Sequence, residues 1–252
     1  MSYEAITVEE AEGVATIAFN RPDALNAITI PMLEELRKAI KKASKSDEIS
    51  AIVLTGTGRA FSAGLDLKDL NERKTDDGDV GDIVNGPARK LIKSIQKSPK
   101  PVIAKVNGFC FTGALELALS CDLIWVAAEA KLGDTHAKWG LRPTWGMSAR
   151  LPHAVGMRKA KELSFTADTF TGSQAAEWGL ANRAVPLEEL DASVKELTDK
   201  LVANSSGSLD AYKQLYNRGG VHSQADALDF EERFEFEISD SAERLAEFTK
   251  KD

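Results

Sequence analysis

Short runs of apolar and β-branched residues, each stopped by glycine or asparagine, alternate with segments of helical period along most of this chain. Ile6 and Val8, a Glu12-Gly13 turn and the run Val14 to Phe19 predict an antiparallel strand pair. The period then changes: Met32, Leu33, Leu36, Ile40 and Ala43 recur at helical spacing behind Pro31, predicting a helix over 31–44. Ala51 to Thr55 is a buried-looking strand that runs into Gly56, Gly58 and the segment Phe61 to Leu67. Pro101 to Val106 is another, broken by Asn107-Gly108, after which Gly113 opens an apolar helix ending near Ser120 and Leu123 to Ala127 returns as a strand. Uniformly apolar strands separated by helices with short connections predict an α/β core with parallel pairing. Helices are expected at Met147 to Val155, Lys159 to Thr166 and Ser173 to Trp178, then a short strand over 182–185 and only helices from Leu187 onward. These patterns divide the chain into an α/β core, 1–195, and a helical C-terminal region, 196–252. Lys74 to Asp82, acidic and without apolar period, predicts a mobile surface loop.

At 252 residues and 43% hydrophobic content the chain can bury a substantial core. Its 32 Lys and Arg against 39 Asp and Glu give a net charge of −7. No lysine-rich face stands out, so neither nucleic acid nor an anionic membrane surface is an expected partner. Cys110 and Cys121 stand in apolar surroundings with no CxxC pair or histidine cluster, which excludes disulfide and zinc scaffolds. Met1 to Glu10 lacks the pattern of a signal or transit peptide, and no apolar run approaches the ~20 residues of a membrane span. A reducing, cytoplasmic setting is the expectation.

Glu116 is the most informative residue. It sits in Gly113-Ala114-Leu115-Glu116-Leu117-Ala118-Leu119, where every neighbour is glycine or apolar. A carboxylate buried there would cost several kcal/mol or change its pKa, unless a partner or a chemical task retains it; the alternative is an exposed glutamate on a half-wet helix. Gly113 opens the same helix, where free backbone N–H groups favour negative charge. In Phe61-Ser62-Ala63-Gly64-Leu65-Asp66-Leu67 a glycine lets the backbone turn and present another N–H. His136, one of three histidines, lies in Gly133-Asp134-Thr135-His136 ahead of Gly140, Pro143 and Trp145-Gly146. It reads either as a general acid or base or as a loop histidine capping the following turn. His153 and His222 read as structural.

In this order the segments resemble the crotonase family, the enoyl-CoA hydratase and isomerase superfamily, over essentially the whole chain. Asn20-Arg21-Pro22 and Leu25-Asn26-Ala27 look like its early signature, Phe61 to Leu67 like its first oxyanion loop, Asn107-Gly108 with Gly113 and Glu116 like its second, and Gly133 to Gly146 like the segment with its second catalytic position. The resemblance implies a spiral of ββα units with a helical C-terminal trimerisation region, assembled as a homotrimer or a dimer of trimers. It implies an oxyanion hole from the N–H groups of Leu65 and Gly113, catalytic Glu116 and His136, and an acyl-CoA substrate whose CoA moiety meets Ala24, Leu25, Ala63, Asp66 and Leu67. Phe248 and Lys251 match a pattern in which the terminal helix reaches a neighbouring subunit's CoA. Coenzyme A is part of the substrate, and no separate cofactor or metal is implied.

Two departures bear on the chemistry. Hydratases of this family carry a glutamate where His136 stands, so two carboxylates become one. Diketone-cleaving relatives carry a histidine near here with an aspartate nine residues on, a position occupied here by Trp145. Trp139 and Trp145 replace smaller residues and would narrow or re-aim an acyl channel, or fill core. The expected function is hydration of a 2-enoyl-CoA; the alternatives are another enolate reaction, such as carbon–carbon hydrolysis or isomerisation, and a non-catalytic acyl-CoA binding protein.

Overall fold

The computed structural model describes residues 3–66, 78–219, 223–234, 236 and 238–249. The chain opens with strands β1 (Ile6–Ala11) and β2 (Val14–Phe19), antiparallel, with Ala11 opposite Val14. The two residues between them, Glu12 and Gly13, both have positive φ, as a tight right-twisted hairpin requires. Helix α1 (Ile30–Lys45) starts where the Thr29 side chain accepts from the Met32 N–H, and it buries Met32, Leu33, Leu36, Ala39, Ile40 and Ala43 along one stripe.

From there pairs of strands repeat. β3 (Ala51–Gly56) is followed by β4 (Ala60–Ser62), β5 (Val102–Val106) by β6 (Phe109–Phe111), and β7 (Leu123–Ala127) by β8 (Lys131–Gly133). The first of each pair joins a six-stranded sheet ordered β1-β2-β3-β5-β7-β10, where β10 is Arg183–Val185. The second joins a four-stranded sheet ordered β4-β6-β8-β9, where β9 is Phe170–Thr171. Each pair therefore advances one place in both sheets at once, which is the spiral that the resemblance implies. β3 and β5 are buried along most of their length, as strands in the middle of a parallel sheet are.

Helix α2 (Asp82–Gln96) precedes β5, and the single-turn-and-a-half helix α3 (Gly113–Ala118), every residue of it buried, follows β6. After β8 come α4 (Met147–Val155), α5 (Met157–Thr166) and, past β9, α6 (Gly172–Glu177). Beyond β10 lie only helices: α7 (Leu187–Ala203), α8 (Ser206–Gly219), α9 (Gln224–Arg233) and α10 (Ser241–Thr249). The division drawn at 195/196 falls inside the continuous helix α7.

Four findings differ from the sequence expectations. Helix α2 has no counterpart there, because Asn85-Gly86-Pro87 near its start reads as a turn. The small sheet is likewise absent from the expectations. The loop expected over 74–82 lies partly outside the described residues, and Asp82 is already helical. The expectation that no lysine-rich face stands out is corrected: Arg37, Lys41 and Lys45 of α1, Lys90 and Lys93 of α2 and Lys97 just past its end line one groove of about 710 Å³. Among the described residues no helix is long and apolar enough to cross a membrane.

Candidate active site

Strands β4, β6 and β8 are adjacent and parallel, so their C-terminal ends share one edge of the small sheet. Three loops leave that edge: Gly64-Leu65 after β4, Thr112-Gly113 after β6 and Asp134-Thr135-His136 after β8. Residues seventy positions apart in sequence converge because the spiral advances by one strand per unit.

The first loop is braced from below. Asn26, fully buried, accepts from the Arg21 N–H at 2.8 Å and donates to the carbonyls of Thr57 at 2.9 Å and Ala60 at 2.8 Å. The Arg21 guanidinium binds the Ala27 carbonyl at 2.7 Å and the Asp66 carboxylate at 3.0 Å. This explains the Asn-Arg-Pro and Leu-Asn-Ala residues as a lock on the loop. Ile28 spends its N–H on the Gly64 carbonyl and its carbonyl on the Asp66 N–H in a parallel bridge. The alternation of a parallel ladder then turns the Leu65 N–H to the opposite side. Gly64 has a φ of +90°, and a Cβ on it would lie 2.7 Å from the Phe111 carbonyl oxygen. Only glycine permits this approach of the first loop to the second.

In the second loop the Thr112 N–H pairs with the Gly133 carbonyl at 2.9 Å, so Gly113 carries the first helical N–H without an intrahelical acceptor. Thr112 itself stands at φ +54°, ψ −112°, a conformation glycine holds without strain and a β-branched residue does not. Its hydroxyl meets that of Thr135 at 2.5 Å, tying the second loop to the third.

Glu116, 1% exposed, points from α3 into this junction. Its Oε1 accepts from the backbone N–H groups of Trp145 at 2.9 Å and Met147 at 3.0 Å. Its Oε2 faces His136 Nε2 at 3.6 Å. Burial raises the carboxyl's pKa against the opposing pull of the Met147 N–H, His136 and the Trp145 N–H. His136 is buried, with Nδ1 2.6 Å from Asp134 Oδ1, and Asp134 Oδ2 accepts from the Ser164 hydroxyl at 2.7 Å. Burial pushes Asp134 up, but the hydrogen bonds from His136 and Ser164 and the charge of His136 outweigh it, and its pKa is lowered. An ionised Asp134 accepts from Nδ1–H and leaves Nε2 aimed at Glu116.

The result is a chain of side chains, Ser164–Asp134–His136–Glu116, whose last three members are buried. Sequence reasoning found its last two members and missed the first two; it sought an aspartate nine residues after His136, while the partner stands two residues before it. His136 also begins the turn Ala137–Trp139, without a side-chain cap.

Of the residues matched to CoA contacts, Ala24, Leu25, Ala63 and Asp66 have their N–H groups engaged by the Arg21, Pro22, Leu25 and Ile28 carbonyls, and the Ala24 and Leu25 carbonyls already accept from the Ala27 and Ala63 N–H groups. Leu67 and Lys251 lie outside the described residues, as does His222, and Phe248 falls in α10. His153 is exposed on α4. Among the described residues no group of three or more His, Cys, Asp or Glu side chains is disposed to hold a metal ion.

Comparison with known proteins follows the same lines. Residues 9–249 match the family described as enoyl-CoA hydratase/isomerase. The chain is 34% identical to a short-chain-enoyl-CoA hydratase of Clostridium acetobutylicum, over 100% of this chain and 97% of the relative. It is 33% identical to a crotonyl-CoA hydratase of Syntrophomonas wolfei, over 87% of this chain and 84% of that one. The crystal structure of an enoyl-CoA hydratase from Bacillus anthracis superposes with a TM-score of 0.91 at 28% identity, over 98% and 97% of the two chains.

Proposed function

This chain belongs to the enoyl-CoA hydratase/isomerase family, and on that premise we propose that it adds water across the double bond of a 2-enoyl-CoA with Glu116 and His136 as the proton-transferring pair. The observation that carries this reading is the spacing of Glu116 Oε2 and His136 Nε2, 3.6 Å. That is too long for a strong direct hydrogen bond and short enough for the two atoms to serve neighbouring atoms of one bound substrate, the water at Cβ and the adjacent Cα.

The thioester carbonyl is held by the Leu65 and Gly113 N–H groups, which stabilise the enolate as charge develops on its oxygen. His136 Nε2 takes a proton from water as its oxygen bonds to Cβ. The π electrons pass to the enolate, and protonated Glu116 delivers its proton to Cα. The pair is left as imidazolium and carboxylate, and the imidazolium returns its proton to Glu116. Asp134 supports the transient imidazolium, and the upward shift of Glu116 favours the protonated form the cycle needs.

The same reading places a CoA-linked substrate and no separate cofactor at the site, with Phe248 and Lys251 reaching the CoA of a neighbouring protomer in a trimer or dimer of trimers. Tyr212 and Tyr216 of α8 and Leu228 of α9 are exposed and supply apolar surface for such an assembly. A cytoplasmic setting agrees with the two free cysteines, Cys110 and Cys121.

The test is the change in enoyl absorbance with crotonyl-CoA for wild type, Glu116→Gln and His136→Ala. Activity that falls about 10²–10⁴-fold in each variant, as loss of a general acid or base does, is the expected result. Turnover of crotonyl-CoA by wild type that survives both substitutions would overturn the assignment.

A further inference from the structure

Trp145 lies between the Glu116 carboxylate and an open surface groove. Its six-membered ring presses on Gly113: a Cβ built on that glycine would lie 2.8 Å from Trp145 Cζ3 and 3.2 Å from Cε3. The side chain is 5% exposed. It also borders an open groove of about 740 Å³, in which Ile92 of α2 lies among the cationic side chains Arg89, Lys93, Lys97 and Arg150.

The residue is pinned at every polar atom. Its N–H donates to Glu116 Oε1, its carbonyl accepts from Arg150 Nη1 at 2.9 Å, and its indole N–H donates to Asn85 Oδ1 at 2.9 Å. Asn85 is itself buried in α2, where it also accepts from the Thr144 hydroxyl at 2.8 Å and donates to Asp79 at 2.6 Å. Swinging the indole aside would leave a buried N–H and weaken a satisfied network, a costly motion.

We infer that Trp145, held by Asn85, is the wall that ends the acyl pocket and restricts the enzyme to short acyl groups. This rests on the thioester placement proposed above. With the carbonyl oxygen at the Gly113 N–H and Cα and Cβ beside Glu116 and His136, an acyl chain continuing past Gly113 meets the Trp145 ring. Trp145 lines the groove on its other side as well, so its ring stands between Gly113 and that groove, and removing the ring is the change that would extend the acyl path.

The experiment measures kcat/KM of the full chain on crotonyl-CoA and on 2-decenoyl-CoA, for wild type, Trp145→Phe and Trp145→Ala. Wild type favours the shorter substrate by about 100-fold or more, since a pocket can reject even one excess methylene by 10–200-fold. Trp145→Ala shifts that ratio at least about tenfold toward decenoyl-CoA, and Trp145→Phe lies between. Calorimetry with butyryl-CoA and decanoyl-CoA, which cannot be hydrated, reads the same limit without turnover, so an error in the assigned reaction is distinguishable from an error about the wall. Equal use of both chain lengths by wild type overturns the inference even if the alanine variant fails to fold. So does a folded Trp145→Ala protein whose chain-length ratio in both measurements matches wild type.

Discussion

Asp134 is the residue that separates positioning from chemistry at this site. Its carboxylate touches His136 and Ser164. Replacing Asp134 by Asn keeps the shape but removes the charge that steadies an imidazolium. The expected outcome is a kcat for crotonyl-CoA lowered about 10²–10⁴-fold with KM changed by less than about threefold. A KM that rises as far as kcat falls would assign Asp134 to substrate binding instead. Glu116 yields a prediction for stability. Its folded pKa is raised, so the native state holds a proton that the unfolded chain releases from pH ~4.3 upward. Native stability therefore declines as pH rises through that window toward the folded pKa, and the deficit persists above it. Glu116→Gln, whose amide oxygen can still accept from the Trp145 and Met147 N–H groups, should melt a few degrees higher than wild type near pH 7, about 2–4 °C per kcal/mol recovered in a domain this size. The difference should vanish below pH ~4, which thermal melts across the range would read.

At the scale of elements, the site depends on strands too short to announce themselves. β4, β6 and β8 have three residues each and β9 two, below the length at which alternation can be distinguished from a loop. What orders them is contact between distant backbones, fixed by buried amides such as Asn26 and by Asn107, which brackets Gly56 and Gly58. The long strands β2, β3, β5 and β7 and helix α1 were legible because each exposes a full period of apolar residues. Glu116 was legible as a carboxylate in an apolar run and His136 as a rare titratable residue in a glycine-bounded loop. Asp134 was not, since Gly-Asp-Thr-His reads as turn chemistry, and the Asn85–Trp145 bond joins residues 60 positions apart with no local signature. The loops after β4 and β6, proposed to form the oxyanion hole, are tested through Gly64. Gly64→Ala forces a Cβ within 2.7 Å of the Phe111 oxygen at a φ of +90°, so the loop must shift or the strain must be borne. A loss of about 1–3 kcal/mol in urea unfolding is expected, together with an activity loss greater than the stability loss explains, because the Leu65 N–H moves with the loop. An alanine variant with wild-type kcat would remove Leu65 from the oxyanion hole.

On the scale of the whole molecule, the question is whether the helical region past residue 195 is a separate body or a part of the core's cooperative unit. α7 crosses the proposed division without interruption. The stronger link is Lys213 of α8, whose buried Nζ donates to the carbonyls of Ile95 and Lys100, each at 3.0 Å, and pairs with Asp122 at 2.7 Å. Asp122 also accepts from the Val102 N–H at 2.7 Å, the first residue of β5. One ammonium thus closes the end of α2, the start of β5 and the turn before β7 against a C-terminal helix. Burial raises the Asp122 pKa, with Lys213 as the largest opposing influence, so removing the lysine leaves a carboxylate that is costly to ionise and two carbonyls without their donor. Lys213→Met, which keeps the apolar stem, should destabilise the chain by about 3–5 kcal/mol at neutral pH. Adding Asp122→Asn should recover part of that loss, since the orphaned charge goes with it. If α8 belongs to the core's cooperative unit, the variant unfolds in a single transition displaced to lower urea, with helical signal and core tryptophan fluorescence lost together. Two separated transitions, with the core's midpoint unmoved, would mean that the C-terminal helices dissociate first and that the division near residue 195 is a thermodynamic boundary.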